Sequence, residues 1–110
     1  MLTSNDEKIR FIHEYFSKHI KNKEKFKYVE DIPFMIRNNG LFNTLMYLRD
    51  KGKEESIFVM FSNYYEIISQ SDNLLIDIFN MHKELNRDYL IYTHEFYEFA
   101  CQLKIYFRTI

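Results

Sequence analysis

The residue types best suited to metal binding and covalent catalysis are few in this chain of 110 residues and lie far apart. His13 and His19 are six residues apart, which places them on different faces of one helix, whereas His82 and His94 fall on separate predicted helices. Cys101 is the only cysteine, and neither an H-E-x-x-H nor a C-x-x-C sequence occurs. The two glycines are twelve residues apart and cannot form a phosphate-binding loop. We therefore expect no metal ion, no cofactor and no catalytic residue.

One segment is nevertheless typical of a ribonuclease. RDYLIYTH, from Arg87 to His94, resembles the arginine–spacer–histidine motif of the HEPN ribonucleases, which are small helical domains. The resemblance implies that Arg87 and His94 would stabilise and protonate the groups around a scissile phosphate. Thr93 has the character of a helix cap, which would place Arg87 before a turn and His94 after it. A HEPN-like ribonuclease is the enzymatic alternative that the sequence leaves open.

Positive charge is concentrated in the first half of the chain. Residues 1–53 hold eleven Lys and Arg against seven Asp and Glu, whereas residues 54–110 hold four against nine, for a net charge of −1. The basic excess is greatest in KHIKNKEKFK, residues 18–27, which fits a polyanion partner or a solvated connection between helices. Because Lys21 to Lys25 lacks apolar periodicity, we interpret it as an exposed connection.

The C-terminal segment KIYFRTI has the mixture of basic and aromatic residues found in single-stranded nucleic-acid sites. Phe107 is at helical spacing from Leu103 and Phe99, which favours a place in the core. Lys104 and Arg108 are four residues apart and therefore share a helix face. They are the better candidates for phosphate contacts, and a solvated helix face is the alternative.

The composition is that of one soluble domain covering residues 1–110. The hydrophobic share is 46%, with nine Tyr and eleven Phe, which excludes disorder. No apolar run approaches the roughly 20 residues that cross a bilayer, and the N-terminus lacks the pattern of a signal peptide. A lone cysteine cannot form an internal disulfide and fits a reducing compartment. We expect a cytoplasmic protein without a membrane partner.

Apolar residues recur at helical spacing along the whole chain. Ser4 to Glu7 has the form of a capping box, which predicts a first helix from Asn5 to Lys21. The acids Glu54 and Glu55 suit the first turn of a later helix. The buried stripes expected on the last three helices are Ile57, Phe58, Phe61, Tyr64, Tyr65 and Ile68; Leu75, Ile78, Phe79, His82 and Leu85; and Phe96, Phe99, Ala100, Leu103 and Phe107.

The boundaries of these later helices follow from capping residues. Ser71 or Asp72 is expected to cap the helix that contains Ile78, and Thr93 to cap the last helix after a connection that includes Tyr89 to Tyr92. No six-residue stretch alternates β-branched with polar residues, which argues against strands. The sequence predicts an all-α, single-domain bundle of five to six helices.

The only proline and both glycines lie close together, between Asp31 and Gly52. Asp31 could cap a helix that has Pro33 in its first turn, or a helix that begins near Lys25 could be kinked at Pro33. Gly40 is predicted to end this helix in the αL conformation, and Gly52 to end the next one. We therefore predict two helices joined at a tightly specified corner at Gly40.

This corner carries a family resemblance. IPFMIRNNGLFNTLMYLRDKG, residues 32–52, resembles the most recognisable segment of the small helical subunit of type III-B CRISPR (Cmr) effector complexes. The matching positions are Pro33, Ile36, Arg37, Asn39, Gly40, Leu41, Leu45, Leu48, Lys51 and Gly52. The C-terminal segment is also similar to that family, at Tyr89, Thr93, Phe99, Leu103, Lys104 and Arg108. This segment departs from the family because it lacks the Trp that often precedes the lysine at the position of Lys104. The small subunit of type III-A complexes is a related family and the alternative assignment.

The resemblance implies a non-catalytic, structural subunit of an antiviral ribonucleoprotein. Several copies would stack beside the subunits that hold the guide RNA and would line the channel occupied by the target RNA. The implied partners are other copies in head-to-tail stacks, the backbone and large subunits of the Cmr complex, and the guide–target duplex through its phosphates. Arg37, Lys51, Lys104 and Arg108 match basic positions of the family and are the expected RNA contacts. Because the guide reads sequence by base pairing, no base-specific site is required.

Overall fold

The computed structural model describes residues 3–20, 23–51 and 57–109, and these residues form six α-helices, one 3₁₀ segment and no strand. The helices are α1 (Asn5–His19), α2 (Ile32–Asn39), α3 (Leu41–Lys51), α4 (Ile57–Ser69), α5 (Leu74–Lys83) and α6 (Arg87–Thr109), and the 3₁₀ segment is Lys23–Asp31. The predicted all-α bundle is thereby confirmed. The predictions for Lys21, Gly52, Glu54 and Glu55 lie outside the described residues. No helix of the described ranges combines the length and the hydropathy that a membrane span requires.

Helix α1 begins as the sequence predicts. The Glu7 backbone N–H donates to Ser4 Oγ at 3.1 Å, and the Ser4 backbone N–H donates to Glu7 Oε1 at 2.8 Å, which completes a capping box. The hydrogen bond from the Ser4 backbone N–H, together with the Ser4 hydroxyl, stabilises the charged carboxylate and lowers the pKa of Glu7. The helix ends where the N–H of Ile20 donates to the carbonyl of Phe16 at 3.1 Å.

The entry into α2 combines parts of both predicted alternatives. Helix α2 begins at Ile32 and has Pro33 in its first turn, where the missing N–H costs little. Asp31 is the N-cap residue, as the first alternative predicts, but its side chain makes no capping hydrogen bond. The residues before it form the 3₁₀ segment, which is itself broken at Phe26 with φ −114° and ψ 27°. A separate 3₁₀ segment, rather than a kinked helix, leads into α2.

Gly40 forms the corner between α2 and α3. Its φ is +86° as expected of a glycine stop, but its ψ is 162°, so the predicted αL conformation is wrong. The reason is that one residue both ends α2 and begins α3. Its N–H donates to the Ile36 carbonyl at 3.0 Å, and its carbonyl accepts from the Thr44 N–H at 3.2 Å. A residue that precedes a helix needs an extended ψ, and at positive φ this conformation is essentially restricted to glycine.

Helix α5 differs from the prediction at both ends. Its N-cap is Asn73, which makes no side-chain capping bond, so neither Ser71 nor Asp72 caps it. Ser71 instead donates from Oγ to Asp77 Oδ2 at 2.7 Å. The helix ends at Lys83, and the predicted stripe residue Leu85 lies in the following turn with φ +53° and 90% of its surface exposed.

Helix α6 begins six residues before the predicted cap. The Asp88 N–H donates to Asn86 Oδ1 at 2.8 Å, which satisfies a donor of the first turn. Thr93 lies inside the helix, where its hydroxyl donates to the Tyr89 carbonyl one turn earlier at 2.6 Å. The predicted connection through Tyr89 to Tyr92 is therefore wrong, and only residues 84–86 separate α5 from α6.

The core is built around α6, which packs against α1, α2, the 3₁₀ segment and α5. Aromatic rings join it to α4: the Tyr64 and Phe99 rings stack with centroids 4.1 Å apart, and Phe61 meets Phe99 edge-on at 5.2 Å. The predicted stripe on α6 is confirmed, since Phe96, Phe99, Ala100, Leu103 and Phe107 are all buried. The residues without solvent exposure include Ile12, Leu41, Leu45, Leu48, Ile57, Met60 and Phe61.

A buried polar network ties α1 to α4 and α6. Lys8 and Glu95 are each 3% exposed, and Lys8 Nζ lies 3.4 Å from Glu95 Oε2. The same carboxylate oxygen accepts from Thr3 Oγ1 at 3.1 Å and from the Tyr64 hydroxyl, and Lys8 also donates to the Thr3 carbonyl at 2.6 Å. Burial, followed by the hydrogen bond to Glu95, raises the pKa of Tyr64, so its hydroxyl stays protonated and available as a donor.

Removing the ammonium group from this network should destabilise the fold strongly. We expect Lys8→Met to lower the free energy of unfolding by about 3 kcal/mol, because it leaves the Glu95 carboxylate buried without its cation. Denaturant unfolding monitored by circular dichroism measures the change. Lys18→Met removes an exposed lysine from the same helix and should stay within about 0.5 kcal/mol of wild type. Equal unfolding midpoints for the two variants would contradict the role assigned to Lys8.

The backbone conformation at the α2–α3 corner should reject any side chain. Gly40→Ala is expected to cost about 1–3 kcal/mol, because a residue with a Cβ strongly disfavours φ +86° with ψ 162°. The added Cβ would meet the Tyr89 hydroxyl at 3.4 Å, an ordinary contact, so the backbone rather than crowding sets the cost. Asn39→Ala, at the adjacent exposed helical position, is the control for thermal melts. A Gly40→Ala melt that coincides with it would show the corner to be unstrained.

Candidate nucleic-acid interface

Helix α6 presents a line of residues on the side that the core does not cover. These residues follow one another at alternating intervals of three and four, which keeps them on one face of the helix. We call them the α6 stripe: Arg87, Leu90, His94, Tyr97, Cys101, Lys104 and Arg108. Each is exposed or half-buried, whereas Phe96 and Leu103 on the opposite side are buried. Two of the four predicted RNA contacts, Lys104 and Arg108, belong to this stripe.

Arg37 joins the stripe from a different helix. It is exposed on α2, and its guanidinium carbon lies 5.1 Å from the centroid of the Tyr97 ring. A guanidinium at this distance from an aromatic face is attracted by the ring electrons. Packing of α2 against α6 therefore brings a third predicted RNA contact beside the first two.

The positive charges near the end of the stripe differ in their surroundings. Arg108 Nε donates to Glu30 Oε1 at 2.8 Å, yet the Arg108 side chain is still 61% exposed. Its guanidinium is thus positioned by the 3₁₀ segment and keeps further N–H donors directed to solvent. Lys104 is half-buried and makes no ion pair with any residue of the described ranges.

Lys51 lies apart from the stripe. It is the exposed last residue of α3, with Nζ 5.2 Å from the centroid of the Tyr28 ring and 5.8 Å from that of Tyr47. Tyr28 belongs to the same 3₁₀ segment as Glu30, the partner of Arg108. Lys51 therefore borders the 3₁₀ segment but does not share the line formed by the α6 residues.

A groove of about 480 Å³ runs between α2 and α6 beside Arg37. Two residues of α2 line it, Ile36 and Arg37, and five residues of α6 complete it: Leu90, Thr93, His94, Tyr97 and Glu98. From the sequence, His94 was considered only as a metal ligand or a HEPN-like catalytic residue, and Tyr97 was not considered. The intervals between Leu90, His94 and Tyr97 place these residues on one helix face. Because the helix was predicted to start at Thr93, Leu90 fell outside it and this shared face was not recognised.

The Tyr97 ring has two polar neighbours that act on its hydroxyl in opposite senses. A hydrogen bond with Cys101 raises the pKa of Tyr97, while the positive charge of Arg37 opposes that effect. The phenol therefore stays neutral over the physiological range. A neutral ring with a cation beside it suits stacking on a nucleobase more than it suits acid–base chemistry.

The structure changes the interpretation of the ribonuclease-like pair. Arg87 and His94 are both exposed on α6, so the predicted turn between them is wrong. They line different grooves: Arg87 contributes to one of about 200 Å³ with Met81 and Leu85, His94 lines the groove beside Arg37, and Leu90 lines both. The described residues hold no group of three or more side chains arranged to bind a metal ion.

The aromatic residues of the C-terminal segment do not form an exposed stacking surface. Tyr106 and Phe107 are 9% and 5% exposed, which confirms the expectation that Phe107 belongs to the core. The Tyr106 hydroxyl also forms a hydrogen bond with His13, whose Nδ1 lies 3.0 Å away. The aromatic group available to a ligand on this side of the molecule is Tyr97 rather than either of these two.

Comparison with known proteins identifies a family for this sequence. The family model described as CRISPR-associated protein (Cas_Cmr5) matches residues 7–107. No curated protein and no solved structure matches the chain. The matched range includes the α2–α3 corner, the groove and the predicted contacts Arg37, Lys51 and Lys104, while Arg108 lies one residue beyond it.

Proposed function

Since this chain belongs to the Cas_Cmr5 family of CRISPR-associated proteins, we propose that it is the non-catalytic structural subunit of a type III-B (Cmr) effector complex. In this proposal several copies stack beside the subunits that hold the guide RNA and line the channel of the target RNA. The family match favours this complex over the related type III-A complex. The proposed site of action is the cytoplasm, where the complex would take part in antiviral defence.

The observation that carries the RNA-binding part of the proposal is the alignment of three basic side chains. Arg37 lies against Tyr97, and Lys104 and Arg108 follow on the same helix face. At 1.5 Å per residue, the distance along α6 from Tyr97 to Arg108 is roughly 16 Å. A line of cations of this length suits a phosphate backbone, which is recognised by charge and position rather than by base identity.

The stacking part of the proposal rests on charge and on exposed apolar surface. The chain has a basic first half and an acidic second half, and opposite charges on successive copies would attract each other where they meet. Head-to-tail contacts of this kind are heterologous and repeat without closing. Some large apolar side chains outside the groove are more than 60% exposed and suit contacts with protein neighbours: Phe34, Ile67, Ile76 and Leu85.

Removing the aligned charges should weaken target-RNA binding without preventing assembly. In a reconstituted complex, we expect Arg37→Ala/Lys104→Ala/Arg108→Ala to lower the affinity for target RNA and to reduce the slope of log K against log salt. The slope should fall by about one for each lost contact, and by less for Arg108 because Glu30 already neutralises part of its charge. Lys51→Ala should have a smaller effect, since Lys51 lies off this line.

The matched control removes three exposed basic residues from other elements, as Arg10→Ala/Lys18→Ala/Lys83→Ala. This variant should assemble and bind target RNA with the wild-type salt slope. Native mass spectrometry establishes that both complexes are intact before the affinities are measured. If the two triple variants bind alike, the line on α6 is a solvated face and the subunit acts only as a spacer.

The chain alone should have no ribonuclease activity, with or without divalent metal ions. This expectation follows from the proposed non-catalytic role, and it needs a direct test because Arg87 and His94 share one exposed face of α6. Incubation of purified protein with labelled RNA, followed by gel electrophoresis, measures cleavage, and His82→Ala provides a matched exposed-histidine control. Metal-independent cleavage that is lost in both Arg87→Ala and His94→Ala would favour the HEPN-like alternative.

A further inference from the structure

The groove between α2 and α6 holds charges of both signs beside an aromatic ring. Arg37 lies over Tyr97, and Glu98 lines the same groove. Neither Arg37 nor Glu98 forms an ion pair with any described residue, including each other. A bare anion would be attracted by Arg37 and repelled by Glu98. The groove therefore suits a ligand that has an anionic part, a flat part and hydrogen-bond donors.

We propose that this groove binds one unstacked nucleotide of the RNA. The phosphate is held by Arg37, the base lies against Leu90 and the rings of His94 and Tyr97, and N–H groups of the base face the Glu98 carboxylate. The volume of about 480 Å³ lies within the range of about 300–1,000 Å³ typical of small-molecule sites. Unpaired bases in RNA are commonly recognised by such stacking on aromatic side chains and arginine.

The inference rests on the proposed function and extends it from phosphates to a base. Tyr97 and His94 precede Lys104 on the α6 stripe, so a strand that follows Lys104 and Arg108 passes the mouth of the groove. The Thr93 hydroxyl already donates to the Tyr89 carbonyl, which leaves it as an acceptor for a ligand. Stacking tolerates all four bases because each has a flat π-face. The groove thus adds affinity while sequence selection stays with the guide.

Nuclear magnetic resonance of the His94 ring tests this inference in the full-length chain. The two probes are an eight-nucleotide oligouridylate and an abasic ribose-phosphate oligomer of the same length and charge, compared at one pH and one salt concentration. We expect the oligouridylate to shift the His94 ring C–H signals saturably and the abasic oligomer to leave them nearly unchanged. The signals of His82, which is exposed outside the groove, are the internal reference.

Two single substitutions make the test specific to the groove. Leu90→Ala removes a groove side chain that is 69% exposed, and it should weaken oligouridylate binding about fivefold, the scale expected when part of a leucine side chain no longer buries its apolar surface against the base. Ile91→Ala changes the next residue, which is 42% exposed and does not line the groove, and it should bind as wild type. Circular dichroism melts establish that both variants remain folded.

The opposing outcomes separate the inference from the proposed function. Equal shifts with both oligomers would overturn the base site and leave phosphate contacts as the proposed function. No His94 shift with either oligomer, or unchanged binding in Leu90→Ala, would also overturn it and would favour a side chain of a neighbouring protein as the occupant. The salt series in the assembled complex tests the proposed function independently of all three outcomes.

Discussion

The burial of one side of helix α6 is the interaction on which the rest of this molecule depends. Four other elements pack against this helix, and rings from α4 stack on it. Because the helical period is 3.6 residues, the same packing that buries Phe96 and Leu103 turns the following residues, Tyr97 and Lys104, outward. The core and the candidate interface are therefore two sides of one helix, and neither can shift without moving the other.

The buried network at Glu95 determines where α1 lies on this helix. A buried carboxylate and ammonium lose their hydration, so their pairing adds little free energy compared with an apolar contact of the same shape. The network is directional, however: a single carboxylate oxygen accepts from Tyr64 and Thr3 and faces Lys8. An alternative position of α1 would leave these groups buried without partners, at a cost of a few kcal/mol. The polar network thus selects one arrangement from those that the apolar residues alone allow.

Local patterns in the sequence predict much of the fold, and the errors have specific physical causes. The capping box at Ser4 and the apolar stripe of α4 are visible in the spacing of residues a few positions apart, so they can be recognised directly. Thr93 was taken for a helix cap because its hydroxyl suits that position, but it also bonds to a carbonyl inside a helix. The ion pair between Arg108 and Glu30 spans 78 residues, and no local pattern predicts it. The predicted RNA contacts came from a family resemblance rather than from spacing alone.

The charge balance of the interface explains why several copies would be needed. Arg37, Lys104 and Arg108 are offset by Glu30 beside Arg108 and by Glu98 in the groove, so the net positive charge of this face is small. In the proposed function a single subunit would then attract RNA weakly, which would limit binding to unrelated polyanions. When copies are held in a row, each contact with one strand raises the effective concentration of the next, and the contributions multiply. Under the proposed function, weak sites on a rigid helix would therefore bind RNA tightly where the assembly repeats them along a strand.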